Sequence, residues 1–242
     1  HSFNTVVNNY GIAQTTWDMY QYMYGYTRGA SIHGGMLLGK RFLDPKLNIH
    51  LYSDMESYNG VKLGGSYKID YNGVKPESDF VMVEKGMLKN LICGRAVGIG
   101  ATKPTGHSIF DRNRMSIMHV TYEKPVPLSK MKPKLIAEAK KAGLDHTYML
   151  RNISYNCYIL TRIDVKTGQE TVIHSATPSF ERRELMHVIA ASKEESIQSY
   201  PCNSNDFPTM IAPESMLLES VEMNLKKPDI AQEFQLVNPA LR

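Results

Sequence analysis

The stretch from Ile69 to His107, IDYNGVKPESDFVMVEKGMLKNLICGRAVGIGATKPTGH, is the part of the sequence that decides its fold. Asn72-Gly73 and Lys85-Gly86 provide residues that tolerate positive φ, as tight turns require. The segments on either side of Lys85-Gly86 alternate apolar and polar residues, which predicts a β-hairpin. Glycines then recur up to Thr105-Gly106-His107, and they indicate backbone packed closely against a neighbour. We therefore expect a hairpin that forms one wall of a cleft; the alternative is a surface hairpin with a flexible exit.

The rest of the chain predicts an α+β fold, made mostly of antiparallel hairpins with two or three helices. Apolar residues at helical spacing predict helices over Ile12–Tyr26, Ser129–Ala142 and Glu181–Ala191. Alternating or β-branched segments predict strands over Leu47–Tyr52, Ser116–Tyr122, Tyr148–Ser154, Cys157–Val165, Glu170–His174 and Met216–Leu225. Ser2–Asn9 is expected to be an edge strand or an irregular lead-in.

The composition is that of an ordinary globular protein. Of the 242 residues, 42% are hydrophobic and 21% are charged, which is enough to bury one large core. We expect a single domain over residues 1–242, with a polar tail over residues 226–242. The net charge of +4 and the lack of any Lys/Arg run longer than two argue against a nucleic-acid partner. No apolar run approaches the roughly 20 residues that cross a bilayer, so no membrane partner is expected.

The cysteines and the first residue bear on the compartment. Cys93, Cys157 and Cys202 are an odd number without CxxC spacing, which argues against a disulfide framework and a structural zinc knuckle. The chain begins with His1 rather than Met, so we expect a processed or truncated piece. The compartment stays open: the cytoplasm is favoured, and a secreted or periplasmic location is the alternative.

The order of residues in the opening stretch resembles the C-terminal domain of the TldD/PmbA family. Glu84–Lys89, which reads EKGMLK, and Thr105-Gly106-His107 match the family's glycine-turn hairpin and its later Thr-Gly-His or Thr-Gly-Asn. Members are TldD-type metalloproteases linked to peptide processing, and they are also called modulators of DNA gyrase. The resemblance implies a homo- or heterodimer, and we expect the family's usual N-terminal domain to lie outside this chain.

The zinc motif of the family is expected to be degenerate here. In active members an HExxxH helix supplies two zinc ligands and a general base, because two histidines on one helix face can hold a metal that activates water. The matching register places Trp17 and Tyr22 at the ligand positions and Asp18 at the glutamate position. None of the eight histidines has another histidine four residues away, or five residues away as HExxxH requires. The resemblance therefore implies no catalytic residue in this segment.

The candidate binding residues lie elsewhere. Cys202 stands where the family's C-terminal cysteine ligand is expected, although a lone cysteine is more often a small buried residue. We therefore expect no cofactor, with zinc bound through Cys202 as the alternative. His107 is expected either to contact a bound peptide or to be an exposed loop histidine. The predicted peptide-binding residues are Gly98, Gly100, Thr105, Gly106 and His107.

These features favour a non-catalytic PmbA-like subunit that pairs with a TldD-like subunit. Its part would be to complete a cleft that holds a peptide, by adding a strand to an exposed sheet edge. The alternative is an active zinc metallopeptidase with atypical ligands, in which Cys202 acts with His50, His107 or His174. A structural or carbohydrate-contact module is a third hypothesis, supported only by the tyrosine content. The sequence leaves open whether the chain is an enzyme.

Overall fold

Two β-sheets stacked face to face form the body of the protein. The computed structural model describes residues 2–7, 37–95, 97, 101–109, 112–113, 117–154, 157–173, 176–179, 184–199 and 208–225. In chain order the strands are β1 (Ser2–Val7), β2 (Leu47–Tyr52), β3 (Ser57–Tyr58), β4 (Val61–Lys62), β5 (Phe80–Glu84), β6 (Met87–Leu88), β7 (Ser108–Ile109), β8 (Arg112–Asn113), β9 (Ile117–Tyr122), β10 (His146–Ser154), β11 (Cys157–Asp164), β12 (Glu170–Ile173), β13 (Ala176–Ser179), β14 (Val188–Ala191), β15 (Glu195–Ser199), β16 (Thr209–Pro213) and β17 (Met216–Leu225).

Both sheets are built mostly of antiparallel neighbours. Sheet one runs in the order β12-β11-β10-β1-β17-β13, and β14 also pairs with β17. Sheet two runs in the order β15-β16-β9-β2-β5-β6. The parallel pairs are β1 with β10 and β16 with β9. The predicted α+β class with mainly antiparallel pairing is therefore confirmed, and the described part of the chain contains one α-helix.

The main hydrophobic core lies between the two sheets. Sheet two contributes Ile49 and Leu51, and sheet one contributes Val188 and Leu218. Burial along β2 alternates from residue to residue, because successive side chains of a strand point to opposite faces. The predicted strand Leu47–Tyr52 is thus confirmed, with its apolar side chains directed into this core.

Helix α1 (Met131–Lys141) covers the other face of sheet one. It follows a short 3-10 turn over Leu128–Lys130, so the predicted helix Ser129–Ala142 is confirmed with slightly different ends. Leu135 packs in one cluster with Leu217, whereas the neighbours of Leu217 along β17 belong to the core between the sheets. Around Leu217, sheet one is therefore buried on both faces. No helix within the described ranges is long and apolar enough to cross a membrane.

Sheet one is strongly curled. Strands β12 and β13 pair with different neighbours at the two ends of the sheet order, yet only two residues separate them. Four successive Cα atoms span at most about 11 Å. Six strands in a flat sheet would place its edges about 24 Å apart, at the usual spacing between strands. The sheet must therefore bend until its two ends come close together.

Two of the predicted elements are wrong. The described part of the predicted helix Glu181–Ala191 is not an α-helix: Glu184–Met186 form a 3-10 turn and Val188–Ala191 form β14, which pairs with β17. Ser2–Val7, the described part of Ser2–Asn9, is a strand but not an edge strand, because β1 lies between β10 and β17 inside sheet one. In both cases the partner strands come from distant parts of the sequence, and their pairing overrides local propensity. The predicted helix Ile12–Tyr26 lies outside the described residues.

The hairpin predicted within the opening stretch is present: β5 pairs with β6 around Lys85-Gly86. The return strand contains only Met87 and Leu88, so it is shorter than the predicted Met87–Cys93. Leu91, Ile92 and Cys93 leave the sheet but stay buried. These residues lead into the segment that ends at Thr105-Gly106-His107.

Candidate functional site

The structure describes only part of the predicted site. Thr105, Gly106 and His107 lie within the described residues. The predicted site residues that lie outside them are Trp17, Asp18, Tyr22, Gly98, Gly100, Cys202 and the alternative ligand His174. The site is therefore built here from the opening stretch and from its neighbours on sheet two.

Thr105 joins the end of the opening stretch to its middle. Its Oγ1 accepts a hydrogen bond from the Cys93 backbone N–H at 2.7 Å and donates one to the Cys93 carbonyl at 2.8 Å. The backbone N–H groups of Thr105 and His107 also point to that carbonyl, each at 3.3 Å. The Cys93 thiol in turn donates to the Lys103 carbonyl at 3.2 Å. The segments around residues 93 and 105 are thus held together by side-chain and backbone contacts.

Gly106 has a structural reason to be glycine. Its φ is +74°, and a Cβ at this position would lie 2.6 Å from the Pro76 backbone nitrogen. The hydroxyl of Tyr67 donates a hydrogen bond to the Gly106 carbonyl at 3.0 Å. The predicted close approach of backbone to a neighbour is therefore present at this glycine.

The Asp70 carboxylate links the first turn of the stretch to Ser108, the residue that follows its end, through hydrogen bonds. Its Oδ1 accepts hydrogen bonds from the backbone N–H groups of Asn72 at 2.9 Å and Val74 at 2.8 Å. Its Oδ2 accepts one from the Ser108 N–H at 3.1 Å. A carboxylate that accepts several backbone N–H groups is well stabilised even when buried, as Asp70 is. The described residues of Ile69–His107 are therefore linked end to end by hydrogen bonds, and we refer to them below as the wall.

His107 is fully enclosed in this wall. Its side chain is 0% exposed and packs against the Phe80 ring at 4.8 Å between centroids. The expectation of an exposed loop histidine is therefore wrong, and contact with a peptide stays a prediction. Burial is the main reason that the His107 pKa falls to about 4; a hydrogen bond to the Thr105 backbone and the charges of Asp70 and Glu77 oppose that effect.

A second polar cluster, which the sequence did not reveal, lies on the face of sheet two opposite the main core. His50 Nδ1 contacts Asp79 Oδ1 at 2.6 Å, and His119 Nε2 contacts Glu195 Oε1 at 2.7 Å. Tyr58 donates to the other oxygen of Glu195 at 2.7 Å. Burial and this hydrogen bond raise the pKa of Tyr58 to about 12. The two histidines are opposite each other on β2 and β9.

The chemistry that this second cluster offers is limited. Each carboxylate fixes the orientation of one imidazole, as carboxylates do behind metal-bound histidines. Nevertheless, no group of three His, Cys, Asp or Glu side chains that could hold a metal ion occurs among the described residues. The part of the chain that the structure describes therefore offers no ligand set for the zinc ion considered as the alternative, and Cys202 lies outside it.

Exposed apolar side chains are concentrated on the opening stretch. Ile69 is 61%, Tyr71 66% and Val97 44% exposed, and they are three of the five exposed large hydrophobic residues among those described. The Tyr71 backbone N–H donates to the Ser108 carbonyl at 3.1 Å, so Tyr71 is anchored to the end of the same stretch.

Comparisons with known proteins find similarity in structure. No family model matches the sequence, and no curated protein matches it. The chain superposes on a "putative modulator of a DNA gyrase" from Thermotoga maritima with a TM-score of 0.64 and 13% identity, over 93% of this chain and 50% of the other. A "putative modulator of DNA gyrase" from Bacteroides thetaiotaomicron gives 0.58 and 13%, over 93% and 47%. TldE from Thermococcus kodakarensis gives 0.56 and 14%, over 92% and 50%.

These matches establish the fold. The resemblance found in the sequence is confirmed at that level: the chain has the fold of the TldD/PmbA proteins over nearly all of its length. The chain spans about half the length of the solved structures that it matches.

Proposed function

We propose that this chain is a TldD/PmbA-family protein linked to peptide processing, and that it serves as a non-catalytic PmbA-like partner subunit. The observation that carries the proposal is the shared fold with the gyrase modulators and TldE over 92–93% of the chain. The sequence supports the non-catalytic part, since no two of its eight histidines have the HExxxH spacing. A TldD-like subunit would supply the metal and the cleavage step.

In this proposal the wall from Ile69 to His107 contributes to a cleft that holds an extended peptide. Two features support this role. The wall is pre-organised, because Asp70 and Thr105 tie its parts together through five side-chain hydrogen bonds to backbone groups. A surface that is rigid before binding loses less conformational entropy when a ligand arrives. It also presents Ile69 and Tyr71 to solvent, where they can contact peptide side chains.

Zinc analysis of the purified chain tests the non-catalytic assignment. We expect well under one tightly bound zinc per chain after dialysis, because the two helix histidines are missing. Stoichiometric zinc would contradict the proposal. The metallopeptidase hypothesis requires more than metal: the isolated chain would have to cleave peptides in a chelator-sensitive manner, and Cys202→Ala would have to abolish that cleavage.

Peptide binding tests the role of the wall. We expect the double substitution Ile69→Ser with Tyr71→Ser to weaken binding of a fluorescent unstructured peptide about tenfold, which corresponds to roughly 1.4 kcal/mol. The reason is the loss of two apolar contacts that contribute affinity where peptide side chains meet the wall. Fluorescence anisotropy of the chain, alone and with a TldD-like subunit, measures the effect.

Val172→Ser is the matched control for this experiment. Val172 is 52% exposed and lies on β12 of sheet one, away from the opening stretch. It should leave the peptide affinity unchanged. Equal losses in the control and the double variant would show that the wall has no special part in binding, whereas the zinc result would be unaffected.

A further inference from the structure

One ring nitrogen of His107, Nε2, has no hydrogen-bond partner among the described residues, and the bonds around the ring favour one tautomer. Nδ1 lies 3.1 Å from Thr105 Oγ1. The single hydroxyl proton of Thr105 is donated to the Cys93 carbonyl, so Oγ1 can only accept from the ring. Nδ1 therefore carries the proton of the neutral imidazole. Nε2 keeps its lone pair, is buried, and has no hydrogen-bond partner within the described part of the structure.

The Thr105 backbone, Asp70 and Glu77 favour the protonated ring of His107, but none of them makes a hydrogen bond to Nε2. Phe80 contributes an apolar ring on one side. Asp70 and Glu77 are the acidic groups whose charges act on His107. Asp70 is occupied by three backbone N–H groups, and Glu77 is paired with Lys103 at 2.8 Å. Neither carboxylate makes a hydrogen bond to Nε2. A proton added at Nε2 would therefore be a buried charge without an acceptor, which is costly.

We infer that protonation of His107 releases the segment from Ala101 to Ile109 from the wall, so that this segment is an acid-triggered latch. The released histidine gains water as its hydrogen-bond partner. The bonds that break with it are local. They join Thr105 and His107 to Cys93, the Cys93 thiol to Lys103, Tyr67 to Gly106, Ser108 to Asp70 and Tyr71, Lys103 to Glu77, and β7 to β8. The main core between the sheets contains no residue of this segment, so it can remain folded. The inference does not depend on the proposed function.

The thiol of Cys93 reports on the opening of this latch. It is 2% exposed and donates to the Lys103 carbonyl within the segment, so it becomes accessible when the segment leaves. The experiment measures its labelling by an aromatic disulfide reagent that reacts in acid. Cys157→Ser and Cys202→Ser remove the other thiols, and the rate at each pH is divided by that of a model thiol.

The opening equilibrium should follow single-proton linkage. Opening is favoured where the released histidine binds more protons than the enclosed one, that is, as the pH falls below the ordinary His value of about 6.5. Burial lowers the pKa of the enclosed His107 to about 4. Between these two pKa values, the corrected labelling rate should therefore rise roughly tenfold for each unit by which the pH falls. From pH 7.5 to pH 5 the total rise should be about thirtyfold.

Two substitutions and one further measurement keep the test decisive. His107→Gln should give a flat pH profile, whereas His119→Gln should keep the profile of the unsubstituted chain. Hydrogen exchange of the unsubstituted chain at pH 7.5 and pH 5, corrected for intrinsic rates, should show lost protection over residues 101–109 with β2 and β9 still protected. A pH-dependent rise that persists in His107→Gln would overturn the inference. So would loss of protection over the whole of sheet two in step with the segment.

Discussion

Gly86→Ala is expected to lower the free energy of unfolding by about 2 to 5 kcal/mol, because a conformational and a steric penalty act at the same residue. The first is conformational: φ is +71°, a region that costs an L-residue roughly 1 to 2 kcal/mol. The second is steric, since a Cβ would lie 2.5 Å from the Leu43 carbonyl oxygen and 2.6 Å from that of Asp44. Overpacking of this kind adds about 1 to 3 kcal/mol.

The backbone atoms around Gly86 have little freedom to move away. Gly86 accepts hydrogen bonds from the N–H groups of Phe42 at 2.7 Å and Leu43 at 3.0 Å, and its own N–H donates to Leu47 at 2.9 Å. Both Phe42 and Leu43 are fully buried. Relief of the steric overlap would therefore disturb the approach of the chain to β2 and the edge of sheet two.

Gly60→Ala is the control, since it separates the two penalties. Gly60 has a similar φ of +80°, but no heavy atom lies within 4 Å of the position a Cβ would take. Urea unfolding should show a loss of only about 1 kcal/mol for this variant. Equal losses at the two glycines would mean that the close approach at Gly86 contributes nothing.

Local patterns predicted the parts of the fold that local chemistry determines. The alternation LNIHLY predicted β2 with both of its ends, because one of its faces is buried throughout. Lys85-Gly86 predicted the turn of the first hairpin, and both residues have positive φ. The interior position of β1 could not be predicted in this way, since its neighbours β10 and β17 lie more than a hundred residues further along the chain.

The contacts of the candidate site could not be predicted from local patterns either. Thr105-Gly106-His107 was recognisable as a pattern, but its contacts are with Cys93, Pro76 and Phe80, whose proximity depends on the fold. The pairing of His119 with Glu195 joins residues 76 positions apart, and no spacing in the sequence signals it. The sequence therefore indicated where the wall is and left its burial and its partners undetermined.

Asp70→Ala is expected to lower the free energy of unfolding by about 3 kcal/mol, since it leaves three backbone N–H groups without their acceptor. Hydrogen bonds to charged groups contribute roughly 1.5 to 3 kcal/mol each, but those from Asn72 and Val74 lie near solvent, and water can replace the carboxylate there. The bond from the Ser108 N–H is buried, so its loss carries the full desolvation cost.

Asp70→Asn is the control that separates the contribution of the acceptor oxygen from that of the negative charge. The amide oxygen can still accept from Asn72 and Val74, but the NH₂ group then faces the Ser108 N–H, so two donors oppose each other. We expect a loss of about 2 kcal/mol, intermediate between the parent and Asp70→Ala. Urea unfolding measures both losses, and hydrogen exchange should show the Ser108 amide deprotected in both variants. If Asp70→Ala unfolds at the urea concentration of the parent, the two ends of the opening stretch are held together by packing alone, and the wall does not depend on its carboxylate tie.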